Sequence, residues 1–275
     1  MIEVKEITSK KELRKFVTFP FKLYKNNRYW VPPIISEELN SFDPNVNPVF
    51  EHAQARFFLA LDRGKIVGRV AAITNEFEIQ RQKVKKMRFG WLDFIDDKNV
   101  SKALLDQVEK IGREEKLEFM EGPVGFSNMD KVGILTEGYE HIGSMVTWYN
   151  YPYYVDHMQA HGFWPEKKFL ESYFYVKDAH IDKYHRMSQI IAKRYELTPV
   201  NFTKSKDVMP YVDQIFDLFN TSYSKLSSFV PISNKQIAYF KEKYIGFINP
   251  DFIKVVLDKN KKIRVKISTT TTHLK

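Results

Sequence analysis

The stretch that decides the fold of this chain begins with two strand-like segments. They are Ala55-Arg-Phe-Phe-Leu-Ala-Leu-Asp62 and Lys65-Ile-Val-Gly-Arg-Val-Ala-Ala-Ile73, and Arg63-Gly64 joins them. Glycine adopts the positive φ that a tight hairpin turn requires. Apolar residues alternate along both segments and are predicted to share one face of each strand: Phe57, Leu59 and Leu61 on the first, and Ile66, Val70 and Ala72 on the second. The pattern predicts an antiparallel hairpin.

The hairpin is followed by a strand, a long helix and a short strand. Glu76 to Lys85 is predicted to be a charged surface helix or loop, and Met87 to Phe94 a strand. Asn99 to Lys116 carries one apolar stripe at helical spacing, and Phe119 to Pro123 is a short strand. Further elements are predicted at both ends of this block: a strand at Ile2 to Thr8, a strand at Met145 to Tyr149, a helix at Tyr154 to His161, and a strand at Phe169 to Val176 that closes the sheet.

Ser9-Lys-Lys-Glu12 is the pattern of a capping box, which predicts a helix from this point. Pro20 is predicted to end or kink that helix, because proline lacks the amide hydrogen that a helix interior uses. The alternation of strands and helices over residues 1–177 predicts an α/β fold with a mixed sheet.

The remaining residues predict a second, shorter unit. Residues 178–195 are expected to form a connector helix, and residues 196–275 contain a strand, two helices (Ser205 to Leu226 and Ser233 to Tyr244) and a hairpin. This repeats the opening order of the first unit, which suggests a weak internal duplication. Because nothing follows the hairpin except a polar tail, we expect an incomplete second unit from a truncated or frame-shifted gene.

Composition narrows the class of protein. The chain has 275 residues, 43% of them hydrophobic, no cysteine and a formal net charge of +9. Disulfides and thiolate metal sites are therefore excluded, and no apolar run approaches the roughly 20 residues of a membrane span. We expect a cytoplasmic protein with no membrane partner and no metal. The positive charge is scattered and forms no Arg-rich helix, which argues against nucleic acid as the partner.

The residues from Ala55 to Val124 resemble the GNAT superfamily of acyl-CoA N-acyltransferases in order and type. Over a longer range, Tyr29 to Ile34, Arg88 to Asp97 and Tyr149 to Tyr154 resemble a poorly characterised bacterial family with two GNAT-like units. The resemblance implies a cleft for acetyl-CoA or another acyl-CoA where the fourth and fifth strands separate. It assigns cofactor contacts to the strand end and the helix start: Leu92, Asp93, Phe94, Lys98, Asn99, Val100 and Ser101.

The loop after the fourth strand departs from the superfamily pattern, because Ile95-Asp-Asp-Lys-Asn-Val-Ser101 contains no glycine. Glycines let the backbone approach a diphosphate closely at a helix N-terminus. Asp96, Asp97 or Asn99 is expected to cap the helix instead and to use the same amides. We therefore predict a degenerate pyrophosphate loop in this unit.

Amide formation from a thioester needs a base for the amine and an acid for the leaving thiolate. By the resemblance, Tyr151 or Tyr154 is the candidate acid, and the alternative, which the sequence favours, is a stacked aromatic edge around Pro152. Glu121 is the candidate base, with a surface carboxylate as the alternative. Candidate contacts to a small-molecule or amine acceptor are residues beside the cleft: Trp91, Asn128, Asp130, Glu137 and Tyr149. For Trp91 the sequence favours a place in the core over a ligand contact.

Three functions stay open at this stage. The first is a CoA-dependent N-acyltransferase, and the second is a non-catalytic ligand-binding protein of the same fold. The third is a transferase that takes aminoacyl groups from tRNA. His157 and His161 lie four residues apart on the predicted helix, but a zinc site would need a third ligand. We predict that they form a surface pair.

Overall fold

The computed structural model describes residues 1–127, 129–226, 229–245 and 248–268. The chain divides into two compact units, Met1–Glu171 and Ser172–Lys275. The division by domains predicted from the sequence, at residues 177 and 195, stays a prediction.

Unit 1 contains a five-stranded sheet in the order β1-β2-β3-β4-β5. Neighbouring strands are antiparallel except β4 and β5, which are parallel. The strands are β1 (Glu3–Glu6), β2 (Ala53–Asp62), β3 (Lys65–Asn75), β4 (Lys86–Phe94) and β5 (Phe119–Glu121). The helices are α1 (Lys10–Leu23), α2 (Ile35–Ser41), α3 (Lys98–Glu114) and α4 (Tyr153–Ala160). The predicted mixed α/β fold is confirmed.

Apolar side chains cover both faces of this sheet. Phe58, Ala60 and Val70 pack under α3 and α4, whereas Leu59 and Ile73 pack under α1 and α2. We expected Ile66, Val70 and Ala72 to share one face of β3, and this prediction is wrong for Ile66. A register shift between Ala60 and Leu61 changes the alternation on β3, so Ile66 packs with the α1 face while Val70 and Ala72 pack with the α3 face.

The parallel pair β4 and β5 is short. Only Lys86, Met87 and Arg88 of β4 pair with β5. Just beyond, the amide of Val124 donates to the carbonyl oxygen of Phe89 at 2.8 Å. A Cβ atom on Gly90 would lie 2.5 Å from the Val124 carbonyl oxygen. The two segments therefore touch along their backbones here, and from this point to Phe94 β4 pairs with β3 and no longer with β5.

Of the two effects expected of Pro20, an end to α1 is wrong, whereas a kink stays a prediction. The helix continues to Leu23 with Pro20 inside it. Proline leaves the carbonyl oxygen four residues earlier, that of Phe16, without its helical donor. Arg69 Nη1 donates to this oxygen at 2.9 Å. The capping box is present in altered form, because Glu12 accepts from the Thr8 amide and the Ser9 hydroxyl.

Three further expectations for unit 1 need correction. Met145 to Tyr149 forms no strand, and only isolated bridges join Val132 to Val124 and to Thr147. Phe169 to Val176 is not a strand either, because no sheet edge pairs with it among the described residues. The predicted surface segment 76–85 contains the buried Glu78, whose carboxylate is paired with Arg88 and Lys86.

Unit 2 contains a three-stranded antiparallel sheet in the order β6-β7-β8. Its elements are α5 (Ile181–Arg194), β6 (Thr198–Asn201), α6 (Ser205–Val208), α7 (Val212–Tyr223), α8 (Asn234–Phe240), β7 (Ile253–Leu257) and β8 (Ile263–Ser268). The single helix predicted for Ser205 to Leu226 is wrong, because a 3₁₀ turn at Met209–Tyr211 around Pro210 separates α6 from α7. The predicted polar tail after Ser268 lies outside the described residues.

Candidate functional site

A narrow cavity lies where β4 continues without β5. Its lining comes from the end of β4, the segment after β5 and the start of α4: Leu92, Asp93, Pro123, Gly133, Ile134, Trp148, Tyr149, Asn150 and Tyr154. It offers about 10 Å³ of water-accessible space, which is room for about one water molecule. Of the predicted site residues, the structure brings Leu92, Asp93, Tyr149 and Tyr154 together around this space.

The carboxylate of Asp93 is the centre of a buried polar network. Arg69 Nε donates to Oδ2 at 2.7 Å, and the Tyr24 hydroxyl donates to Oδ1 at 2.9 Å. The Tyr154 hydroxyl lies 3.4 Å from the same Oδ1 and 3.0 Å from the Tyr24 hydroxyl. Since a buried carboxylate is costly without such partners, the network fixes α1, β3, β4 and α4 to one another.

Two tyrosines of α4 bond to the main chain at the end of β4. The Phe94 amide donates to the Tyr154 hydroxyl at 3.2 Å, and the Tyr153 hydroxyl donates to the Phe94 carbonyl oxygen at 2.6 Å. Burial and then the charge of Asp93 raise the pKa of Tyr154 well above its ordinary value. The same two causes raise the pKa of Tyr24. Both hydroxyls therefore stay protonated at neutral pH and are available as donors.

Sequence reasoning missed Tyr24 and Arg69, and only Arg69 had a local indication. It lies inside the apolar run Val67-Gly-Arg-Val70. A charged residue in a buried strand needs a partner, so a carboxylate could have been expected opposite it. Tyr24 lies 69 residues from Asp93 in the chain, and nothing in its own surroundings indicates the contact.

The amides at the start of α3 are occupied by the chain itself. Asp97 caps the helix, and its carboxylate accepts from the Asn99 amide at 2.8 Å. The amides of Val100 and Ser101 donate to the Asp97 carbonyl oxygen. The side chains of Lys98 and Asn99 are exposed, whereas those of Val100 and Ser101 are fully buried. The amides of Asn99, Val100 and Ser101 thus have acceptors within the chain, and the degenerate pyrophosphate loop stays a prediction.

Ser101 is the centre of a second polar cluster, which links α3 to α4. Its hydroxyl lies 2.9 Å from His157 Nδ1 and 2.8 Å from His161 Nε2, and His157 Nε2 lies 3.0 Å from Asp96 Oδ1. The expected surface pair of histidines is therefore wrong for His157, which is buried against Phe94. Because Ser101 is fully enclosed, this Ser-His-Asp line positions helices and does not present a nucleophile.

Glu121 lies at the base of the strand pair and is absent from the cavity lining. Lys86 Nζ donates to its Oε2 at 2.5 Å, and Lys167 Nζ lies 3.6 Å from its Oε1. Lys86 is itself buried and also pairs with Glu78 at 2.9 Å. The Glu121 carboxylate is thus part of an ion-pair network with Lys86, Lys167 and Glu78.

The remaining predicted acceptor contacts are dispersed. Trp91 is buried among aromatic rings and donates from Nε1 to Glu38 at 2.9 Å, as its core interpretation expects. Asp130 accepts from the Ser127 amide at 2.8 Å, and burial raises its pKa. Glu137 is exposed on the loop before Gly138. Asn128 lies outside the described residues.

An open groove lies next to the cavity and shares Tyr149 with it. The groove offers about 370 Å³ of water-accessible space and is lined by Asn26, Asn27, Arg28, Tyr29, Tyr139, Glu140 and Tyr149. Asn27 Nδ2 donates to the Tyr149 hydroxyl at 2.9 Å, which donates in turn to the Tyr139 carbonyl oxygen. The Tyr151 hydroxyl donates to the Leu23 carbonyl oxygen, and the Tyr151 ring contacts those of Tyr149 and Tyr153. This is the stacked aromatic edge that the sequence allowed.

Within the described residues, no three His, Asp or Glu side chains are grouped so that they could hold a metal ion. Nor does any helix in these ranges have the length and apolar character needed to cross a membrane.

Comparison with known proteins identifies two curated relatives. No family model matches the chain. Protein YghO of Escherichia coli (strain K12) is 23% identical over 253 residues, which cover 92% of this chain and 64% of that protein. The bacterial ceramide synthase of Caulobacter vibrioides (strain NA1000 / CB15N) is 29% identical over 130 residues, which cover 47% of this chain and 34% of that protein. The chain spans less than two thirds of the length of either relative.

The similar solved structures are acetyltransferases. One is the aminoglycoside acetyltransferase meta-AAC0020 from an uncultured soil metagenomic sample, solved in complex with sisomicin. It is 13% identical, with a TM-score of 0.39, and the match covers 64% of this chain and 96% of that one.

Proposed function

We propose that unit 1 transfers an acyl group from a thioester donor, an acyl-CoA or a related pantetheine thioester, to an amine. The observation that carries this proposal is the cavity at the separation of β4 and β5, where a protonated tyrosine and a carboxylate lie side by side. Tyr154 and Asp93 both line it. The relative named as a ceramide synthase supports the same class of reaction, because a ceramide contains an amide formed from an amine and a fatty acyl group.

The arrangement supplies both proton transfers that the reaction needs. The amine nitrogen attacks the thioester carbonyl carbon, the carbon–sulfur bond breaks, and the Tyr154 hydroxyl gives its proton to the leaving sulfur. The amine gives up its proton to Asp93, through a water in the cavity. The Tyr24 hydroxyl, 3.0 Å from that of Tyr154 and 2.9 Å from Asp93, returns the proton to Tyr154. We assign Glu121 no part in this step, since it does not line the cavity.

The groove beside Tyr149 is proposed to hold the acceptor. Its volume of about 370 Å³ falls in the range of small-molecule sites. The rings of Tyr139 and Tyr149 and the Glu140 carboxylate attract an ammonium ion. Arg28, which lies over the Tyr29 ring, opposes this attraction. The groove shares Tyr149 with the cavity, so a bound amine would have a short path to Asp93.

A second candidate function is ligand binding without catalysis. Two observations favour it. The helix-start amides of α3 already have acceptors in the chain, and the cavity beside Tyr154 has room for about one water molecule. A role with aminoacyl-tRNA stays the third alternative, and a steep salt dependence of tRNA binding would support it.

Thiol release tests the proposal directly, because the protein has no cysteine to react with a thiol reagent. The chain is incubated with acyl-CoA, or with the matching acyl-pantetheine, and a panel of amines. We expect both donors to release thiol at similar rates, since the start of α3 gives the diphosphate no amide contacts. Tyr154→Phe should lower the rate at least about a hundredfold, the lower range for a positioned acid. Tyr151→Phe, which leaves the Asp93 network intact, should retain most activity. Binding of donor without turnover by any amine would favour the second candidate, and neither binding nor turnover would refute the proposal.

A further inference from the structure

Helix α5 of unit 2 carries an apolar stripe on its surface. The stripe consists of Ile181, Tyr184, Met187, Ile191 and Tyr195, the last of which caps the helix. The spacing of three or four residues puts all five on one side of the helix. They are between 45% and 62% exposed, and no residue of α5 is buried. An amphipathic helix normally buries such a face, so this stripe calls for an apolar environment outside the unit.

The other side of α5 is basic. Lys183, Arg186, Lys193 and Arg194 lie on it, and Asp182 is the single acidic residue of the helix. None of these four cations makes an ion pair within the part of the chain that the structure describes. An apolar stripe with aromatic residues, opposite a face rich in lysine and arginine, is the composition of helices that lie in a membrane interface.

We propose that α5 binds the surface of an anionic lipid bilayer, lying parallel to it. The apolar stripe would enter the boundary between headgroups and acyl chains, with the two tyrosines at headgroup level. The cations would contact lipid phosphates. Tyr173, Phe174 and Tyr175, which are exposed just before the helix, extend the apolar surface. The sequence-based expectation of no membrane partner rested on the lack of a spanning segment, and surface binding needs none.

Size favours a lipid surface over a second copy of the chain. The stripe has five residues, whereas stable protein interfaces use roughly 20–30 residues a side. An anionic membrane has no such size requirement. It supplies an apolar layer of unlimited extent for the stripe and opposite charge for the basic face.

Vesicle co-sedimentation of the full chain tests this proposal independently of any acyl transfer. We expect the protein to sediment with vesicles containing phosphatidylglycerol and not with pure phosphatidylcholine vesicles. Binding should weaken in high salt, because salt screens exposed charges. Replacing two cations in Lys193→Gln/Arg194→Gln should lower the partition constant by roughly an order of magnitude or more.

Neighbouring isoleucines provide a matched pair of variants. Ile191→Ser removes a stripe residue and should reduce binding several-fold, whereas Ile190→Ser changes an even more exposed isoleucine outside the stripe and should leave binding unchanged. Both positions are exposed, so both variants should fold, which far-UV circular dichroism checks. Absence of binding, equal loss in the two variants, or a dimer in light scattering that Ile191→Ser abolishes would each overturn the proposal.

Discussion

Arg69 Nη1 donates to the carbonyl oxygen of Phe16, which is the oxygen that Pro20 leaves without its helical donor. The same guanidinium bonds to Asp93 through Nε. One buried side chain on β3 therefore supplies the donor that the Phe16 oxygen in α1 lacks, and it also pairs with the carboxylate at the candidate site. Since Tyr24, the residue that caps the C-terminus of α1, also bonds to Asp93, the helix and the site share the same support.

Replacing Arg69 by Met should destabilise unit 1 severely. Breaking a buried ion pair by removing one partner typically costs about 3–5 kcal/mol, because the other charge stays buried. All four tryptophans lie in unit 1, so their fluorescence during urea unfolding reports this unit. Arg56→Met is the control: its pair with Glu6 is partly exposed and should cost less than about 1 kcal/mol. Equal losses in the two variants would show that Asp93 is not held as a buried charge.

Pro20→Ala should reveal the coupling between Pro20 and Arg69. Alanine restores a donor to the Phe16 oxygen, which Arg69 already satisfies in the wild type. The substitution should therefore bring more stability in the Arg69→Met background than in the wild type, with a coupling free energy of roughly 0.5–3 kcal/mol. Urea unfolding of the four proteins completes the cycle. Additive effects would mean that Arg69 does not replace the lost helical bond.

Asp97→Ser should improve binding of CoA itself. Serine also caps a helix N-terminus well, so the start of α3 should keep its stability while one negative charge is removed. We expect CoA to bind several-fold more tightly, with little change for pantetheine, which lacks the diphosphate. Calorimetry with both ligands measures this difference. The gain should shrink in high salt, and an unchanged CoA affinity would refute the view that this carboxylate opposes the diphosphate.

The carboxyl group of Glu12 should titrate far below an ordinary glutamate. The Lys5 ammonium and then the donors of Thr8 and Ser9 lower the pKa of Glu12 from 4.5 to about 2. A lowered pKa of an acid stabilises the folded state above pH 4.5, and this contribution is lost as the pH falls from 4.5 towards about 2. Carbon NMR titration of the carboxyl group measures the value directly. Lys5→Met should raise it, and a wild-type midpoint near 4.5 would contradict the contacts at the start of α1.

Gly90→Ala should be among the most damaging single-methyl changes in unit 1. The added Cβ would lie 2.5 Å from the Val124 carbonyl oxygen, and forcing extra atoms into a packed region typically costs about 1–3 kcal/mol. Gly112→Ala is the matched control, because its Cβ would meet Met87 Cβ at 3.4 Å and alanine favours a helix interior by up to about 1 kcal/mol. Thermal unfolding of both variants tests the contrast. Similar melting temperatures for the two would show that the Gly90 contact is soft.

The sequence predicts what short-range patterns determine. The β2–β3 hairpin and α3 follow from alternation, a turn glycine and a helical stripe, each of which lies within about twenty residues. Tyr154 was a candidate because of the resemblance, but its contact with Tyr24 spans 130 residues and leaves no local trace. Phe169 to Val176 shows the opposite failure: its residues favour a strand, yet a strand also needs an edge to pair with, and sequence periodicity contains no information about that edge.

The backbone contact between Gly90 and Val124 also restricts how the cavity beside Tyr154 opens to admit a substrate. Strand and segment are fixed to each other at that contact, so their separation there stays constant. Any widening must therefore increase with distance from it, towards Phe94 on one wall and the chain near Ile134 on the other. The opening would then be wedge-shaped, and a substrate would enter with its narrow end directed at the contact between Gly90 and Val124.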